Sequence, residues 1–186
     1  PVGNLAAQVF MSTAEEGTAS MRLMYLMAMA AARKSILLSS AYFVPDTLAV
    51  DQFVKARERG VKIQIIVPGP HTDAAVVKVA SRGLWGKLLE AGVEIYEYQP
   101  TMFHCKVMIV DDFFVSVGST NFDDRSFRKN DEANLNIFDE QFALAESKTF
   151  QDDLAQSKRV TLQDWKDRPV KEKVLEKFAL ILKDQL

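Results

Sequence analysis

Apolar residues recur along this chain in two rhythms, one helical and one of period two. Residues 18–34 are rich in Ala, Leu, Met and Arg and contain no Gly or Pro. Met21, Leu23, Met24, Leu26 and Met27 repeat there at three- and four-residue steps, which predicts a helix. That helix is apolar nearly all round, so it is expected to be buried or to sit at an interface. Its methionines read as fillers of irregular core gaps. Residues 35–43 form a short apolar run closed by Pro45-Asp46, the pattern of a central strand. A helix over 46–59, ended by Gly60, leads to a second buried-type strand over 61–67, stopped by Pro68-Gly69-Pro70. Thr72 or Asp73 can cap a helix to Arg82, which residues 84–91 continue after Gly83; Gly92 then precedes a strand over 93–98. This alternation predicts an α/β domain with partly parallel strands.

After Tyr98 the spacing shortens. Residues 105–110 and 113–118 read as two strands of a hairpin turning at Asp111-Asp112. Residues 133–138 alternate Ala133, Leu135 and Ile137 against Glu132, Asn134 and Asn136. Helices are expected over 140–157 and 171–182, with a break at Arg168-Pro169. The expected fold is thus a single α/β domain over 1–186: a mixed β-sheet flanked by helices on both faces. Residues 1–14 read as a loose lead-in and 158–186 as a C-terminal helical segment.

Composition changes this picture little. With 186 residues, 48% apolar and 26% charged, the chain can bury one core and is not a disordered segment. A net charge of −2 lacks the broad basic field of a nucleic-acid binder, which argues against nucleic acid as a partner. The longest apolar stretch, 23–32, is about half a membrane span, so the chain itself is expected to be soluble. Opening at Pro1 without Met, it reads as a piece of a longer protein. The one cysteine, Cys105, has no internal disulfide partner and by parity is expected to be a small core residue.

The candidate chemistry lies in the hairpin. His104, Lys106 and Asp111 have the spacing H-x-K-x-x-x-x-D, and Gly118-Ser119-Thr120-Asn121 follows. A two-residue turn pairs Val110 with Phe113 and, counting back, His104 with Ser119; a one-residue slip of register stays open. On that count His104, Lys106, Ser119 and Asn121 share one patch. A neutral imidazole can attack phosphorus. Lys106 supplies positive charge where phosphate oxygens gain negative charge, and Ser119 and Asn121 can donate hydrogen bonds to the same oxygens. Asp111 has the opposite parity and sits at the turn, so its expected part in the motif is to brace the hairpin backbone. Glu132, at the start of the next strand, is the candidate carboxylate to hold the other imidazole nitrogen. His71 reads as a loop histidine. Asp123 and Asp124 read as N-terminal charges of a short helix. Arg125, Arg128 and Lys129 form a small basic cluster, either a solvated patch or a contact for anionic headgroups. Two histidines far apart and no Cys/His cluster point to no metal site.

The compound pattern resembles the signature of the phospholipase D superfamily, the HKD motif. That superfamily normally uses two motifs per active site, and this chain carries one. Ala41-Tyr42-Phe43-Val44-Pro45-Asp46, Leu88 through Tyr98, the run Gly118 through Phe127 and Asn130 through Asn134 are similar to the C-terminal half of bacterial cardiolipin synthases. The resemblance runs over about 18–168. It implies transfer of a phosphatidyl group between phosphatidylglycerol molecules through a phosphohistidine, with no cofactor. It gives catalytic parts to His104, Lys106, Asp111 and Glu132, the last as partner of the motif histidine, and phosphate contacts to Lys106, Ser119 and Asn121. It also implies a second HKD half, in the longer protein or in a homodimer, and work at the cytoplasmic side of the bacterial membrane. A homodimeric phosphodiesterase or nuclease of the same superfamily, and a scaffold half without activity, are the alternatives.

Overall fold

The computed structural model describes residues 3–13 and 20–181. Parts of the expected lead-in, of the first helix and of the last helix, including Thr18 and Leu182, lie outside the described residues. The architecture is the expected one: a mixed sheet of eight strands with helices on both faces, in which β1 (Ala6–Ser12), β2 (Ser35–Ser40), β3 (Lys62–Pro68), β4 (Glu94–Tyr98), β5 (Lys106–Val110), β6 (Phe114–Gly118), β7 (Glu132–Phe138) and β8 (Ser157–Val160) lie in the order β1-β7-β6-β5-β2-β3-β4-β8. The central strands β2 (Ser35–Ser40), β3 (Lys62–Pro68) and β4 (Glu94–Tyr98) are parallel. Helix α2 (Thr47–Glu58) connects the first two, and α3 (Ala75–Gly83) and α4 (Trp85–Glu90) connect the second two. Asp46 caps α2 by accepting the Ala49 N–H at 2.8 Å, and Gly60 leaves it at φ +88°, a conformation that favours glycine.

The hairpin strands β5 (Lys106–Val110) and β6 (Phe114–Gly118) and then β7 (Glu132–Phe138) continue the sheet antiparallel to one another. Successive residues of the central strands face opposite cores. Ile36, Leu38, Ile63, Ile65 and Met108 join Met21, Tyr25 and Phe53 beneath α1 (Ser20–Ala31) and α2. Leu37, Ile66, Ile109 and Val115 join Ala143 and Phe150 beneath α6 (Glu140–Ala155). Both faces of the sheet are covered, which is why these strands read as unbroken apolar runs.

Three expectations need correction. The lead-in contains β1 (Ala6–Ser12), which pairs along its length with β7. Its Val9 and Met11 are exposed, so no buried-strand pattern marks it. The C-terminal segment begins with β8 (Ser157–Val160), an edge strand on β4, before α7 (Leu162–Asp167) and α8 (Val170–Ile181). Its Ser-Lys-Arg-Val sequence carries the charges that protect sheet edges and hide them from pattern reading. Third, Val110 pairs with Phe114 and not with Phe113, so the hairpin register is slipped by one residue.

Asp111 explains that turn. It and Asp112 adopt positive φ, 56° and 53°, conformations that Asp tolerates better than most residues. Its carboxylate accepts the backbone N–H groups of Arg33, Lys34 and Ser35 at 2.8, 2.7 and 2.9 Å. The motif aspartate therefore braces the connection from α1 into β2, not the hairpin's own backbone. It lies one strand length, about 17 Å, from Lys106 and does not line the cavity that His104 lines. Asp111→Asn keeps a residue that tolerates the turn but removes the charge and one acceptor oxygen. Urea unfolding is expected to show a loss of about 2 kcal/mol with unchanged m.

Candidate active site

Beyond Val107–Val117 the two hairpin strands part. Lys106 continues on Ser40 of β2, and Gly118 continues on Asn134 of β7. The slipped register therefore does not disperse the patch, because His104 and Ser119 both face the opening where the strands part. An open cavity of about 1010 Å³ forms there, and His104, Lys106, Ser119, Asn121 and Glu132 all line it, with Tyr42 and Asp73. The sequence-predicted group is brought together except for Asp111.

The Ser-Thr-Asn segment is set by one side chain. Asn134 donates to the Tyr25 hydroxyl at 3.1 Å and to Ser116 Oγ at 2.9 Å, and its oxygen accepts from Thr120 Oγ1 at 2.8 Å. A Cβ on Gly118 would stand 2.2 Å from the Ala133 carbonyl and 2.3 Å from Asn134 Oδ1, so only glycine admits this approach. With Thr120 pinned, Ser119 and Asn121 are held on either side of it. Ser119 Oγ donates to Glu132 and accepts the Ala133 N–H at 3.1 Å. Asn121 is buried, and its side-chain oxygen has no hydrogen-bond partner. Amide orientation is set by such partners, so this side chain has capacity left for a ligand.

His104 is half-exposed. Lys106 Nζ lies 3.1 Å from its Nδ1 and 3.0 Å from its carbonyl oxygen. An ammonium only donates, so Nδ1 is the acceptor here and Nε2 carries the proton of the neutral ring. Nε2 faces Asp73, with Oδ2 at 3.8 Å. The same oxygen accepts the Tyr42 hydroxyl at 2.8 Å, and the Tyr42 ring meets the imidazole nearly edge-on, 5.9 Å between centroids. Glu132, expected to hold the imidazole, is instead engaged by Ser119 and by Asn130 Nδ2 at 3.2 Å. Asp73 and Tyr42 are the residues that sequence reasoning missed: Asp73 was a possible helix cap, and Tyr42 only part of a resembling segment. No local spacing reveals them, because 31 residues separate Tyr42 from Asp73 and a further 31 separate Asp73 from His104.

Lys106 and Lys129 are the cations that line the cavity. Burial pushes the Lys106 ammonium below its ordinary value, while Cys105, Glu132, Asp73 and Asp123 pull the other way. Burial, and then the Asp73 carboxylate, raise Tyr42 to about 12, so its hydroxyl stays a donor. Lys129 stands at the rim, Arg128 pairs with Asp124 at 3.0 Å, and Arg125 is exposed. Asp123 caps α5 (Asp124–Arg128) through the Ser126 N–H at 2.7 Å, as its position in the sequence predicts. His71 is exposed in its loop. Cys105 is exposed and not in the core, a correction that follows from the end of the β5 ladder at Lys106.

Three comparisons bear on this geometry. A family model described as cardiolipin synthase, PLD-like domain matches residues 25–154. The chain is 33% identical over 182 residues to the major cardiolipin synthase ClsA of Bacillus subtilis, covering 98% of this chain and 38% of that protein. It is 34% identical over 180 residues to cardiolipin synthase 1 of Staphylococcus epidermidis, 97% of this chain and 36% of that one. The chain thus spans little more than a third of the curated relatives it matches. Among solved structures it is similar to Nuc of Salmonella typhimurium, a phospholipase D family member, with a TM-score of 0.71 and 25% identity over 85% of this chain and 99% of Nuc. It also shares the fold of the phosphatidylserine synthase of Haemophilus influenzae, with a TM-score of 0.75 and 19% identity over 99% of this chain and 48% of that one.

Asp123 generates a pH prediction. Burial first, and then Glu132, raise its carboxyl from 3.8 to about 6, against the pull of the Ser126 N–H. A raised folded value means that its stabilising contribution is full below the unfolded value near 4 and is lost as pH rises through about 6. Asp123→Asn keeps a good cap and removes the titration. The stability of the wild type relative to this variant is expected to fall between pH 4 and 6 and to level off above 7, as read by urea unfolding at each pH.

Proposed function

Since the chain belongs to the family of cardiolipin synthase, phospholipase D-like domains, we propose that it forms one half of a phosphatidyltransferase site. The observation that carries this reading is the convergence of His104, Lys106, Ser119 and Asn121 on one open cavity. In the proposed reaction a histidine nitrogen attacks the phosphorus of phosphatidylglycerol, and the P–O bond to the headgroup glycerol breaks. A second histidine gives that oxygen its proton. The hydroxyl of a second phosphatidylglycerol then attacks the phosphohistidine, losing its proton to the same second histidine, and cardiolipin leaves. Lys106, Ser119 and Asn121 hold the non-bridging oxygens as their charge grows.

One imidazole cannot be phosphorylated and protonate the leaving alkoxide in the same step, so a second motif-bearing half is needed. The exposed Leu23 and Met27 of α1 border an apolar groove of about 510 Å³ against β1, β6 and β7. This groove and the open side of the cavity are the surfaces offered to that half. A homodimer working as a phosphodiesterase is the second reading, supported by the match to Nuc over nearly that whole chain. The membrane surface is the proposed place of work, although no helix among the described residues is long and apolar enough to cross a bilayer.

Within this scheme Asp73 orients the His104 ring and Glu132 positions Ser119. Catalytic hydrogen bonds are often long in an empty site and shorten when substrate binds, so 3.8 Å is compatible with that part. The test is a divalent-metal-free assay on phosphatidylglycerol vesicles and on single-stranded DNA, with sedimentation in parallel. It is run on this chain and on a two-motif protein that contains it. A monomer turning over substrate at enzyme-like rates contradicts the half-site, and turnover of DNA alone favours the second reading. In the active assembly, His104→Asn is expected to cut the rate at least about a thousandfold with the fold kept. Asp73→Asn is expected to lower kcat about tenfold or more with KM nearly unchanged, and adding Tyr42→Phe should lower it little further. Glu132→Gln is expected to raise KM as well, because it loosens a phosphate-binding hydroxyl. A wild-type rate in His104→Asn removes the assignment.

A further inference from the structure

Helix α8 sets apolar residues on its outer as well as its inner side. Its inner side carries acids. Glu176, 3% exposed, pairs with Arg168 through Nη2 at 2.6 Å and Nε at 2.8 Å, and Glu172 faces Arg82 at 3.7 Å. Arg168 in turn lies over the Trp165 ring at 3.8 Å, and Trp165 donates to the Arg82 carbonyl at 2.7 Å. The helix sits close on α3: a Cβ on Gly83 would stand 3.0 Å from Leu180. These contacts, with Ala179 buried and Leu180 packed on Gly83, clamp α8 to the domain, while four other apolar residues point outward. Val170, Val174 and Phe178, four residues apart, share the outer face, and they are 74%, 47% and 64% exposed. Leu175 and the exposed Lys171, one turn apart, lie on one side of this row, and the exposed Lys177 lies on the other.

We propose that the outer face of α8 is a membrane-docking surface that seats on an anionic lipid bilayer. Charge decides the occupant. Glu176 is buried against Arg168 and the half-exposed Glu172 leans on Arg82, so the outer face offers apolar side chains bordered by Lys171 and Lys177. A lysine stem can lie along apolar surface while its ammonium reaches a phosphate, an arrangement suited to the boundary between headgroups and acyl chains. A bilayer also accepts a convex helix face without the matching groove that a protein partner must supply. The polar clamp gives the face a rigid base, so its side chains can enter the interface without unfolding the domain.

The surface goes beyond the proposed transfer reaction and is tested without turnover. The purified chain is sedimented with vesicles of equal parts phosphatidylglycerol and phosphatidylcholine, and with vesicles of phosphatidylcholine alone. Binding is expected to the first, weakened by high salt and much lower on the second. Phe178→Asp is expected to reduce partitioning about tenfold or more. Lys171→Gln with Lys177→Gln should reduce it less and should remove most of the salt dependence. All four changes, Val174→Asp included, lie on the exposed face, and thermal unfolding should stay near that of the wild type. No binding to the anionic vesicles overturns the proposal. So does wild-type binding by Phe178→Asp. Conversion of a dimer to a monomer by Val174→Asp or Phe178→Asp also overturns it, since the face is then a protein interface.

Discussion

The side-chain amide of Asn134 is the contact on which the site depends. It stands where the β6–β7 ladder runs out and uses both donors and its acceptor inside the protein. One bond reaches Tyr25 and ties α1 to the sheet, one reaches Ser116 on the neighbouring strand, and one fixes Thr120. Burial raises the Tyr25 phenol to about 12, so the hydroxyl remains neutral in this network. A buried polar group with all its bonds made rigidifies its surroundings, and one with a bond missing is costly. Ser119 and Asn121 inherit their positions from this contact, and Gly118 is the opening through which it is made.

The motif residues divide between two ends of one strand. At the His104 end the sheet splits, Lys106 is partly desolvated and a carboxylate stands beside the imidazole. At the Asp111 end a carboxylate gathers three backbone N–H groups and sets where β2 begins. Because β2 pairs directly with β5, fixing the start of β2 also fixes the track on which Lys106 meets Ser40. The aspartate thus acts on the site through the register of the sheet and not through contact.

Charge is sorted over the rest of the molecule in the same sense. Near His104 the carboxylates Asp73, Asp123 and Glu132 surround the partly buried Lys106 ammonium. On α8 Glu176 is buried against Arg168, while Lys171 and Lys177 are exposed. A net charge of −2 conceals both arrangements, since it averages a site, a clamp and an outer face of different sign.

Sequence alone determined what depends on local spacing. The three parallel strands and their helices, the start of a helix at Asp46 and of a short one at Asp123-Asp124, and the grouping of His104, Lys106, Ser119 and Asn121 could all be read from periodicity, helix-start chemistry and fixed offsets. Tertiary structure decided what depends on distant pairing. The edge strands β1 and β8 are half-solvated and carry no buried pattern, so only their partners β7 and β4 identify them. The hairpin register turned on whether one residue, Phe113, joined the loop, and the ladder's early end then exposed Cys105. The carboxylate beside His104 came from Asp73, brought by a loop after β3, while Glu132 was taken by Ser119. Apart from the local choice at Phe113, each of these follows from a contact between segments that local spacing does not link, and the sequence near either partner carries no record of it.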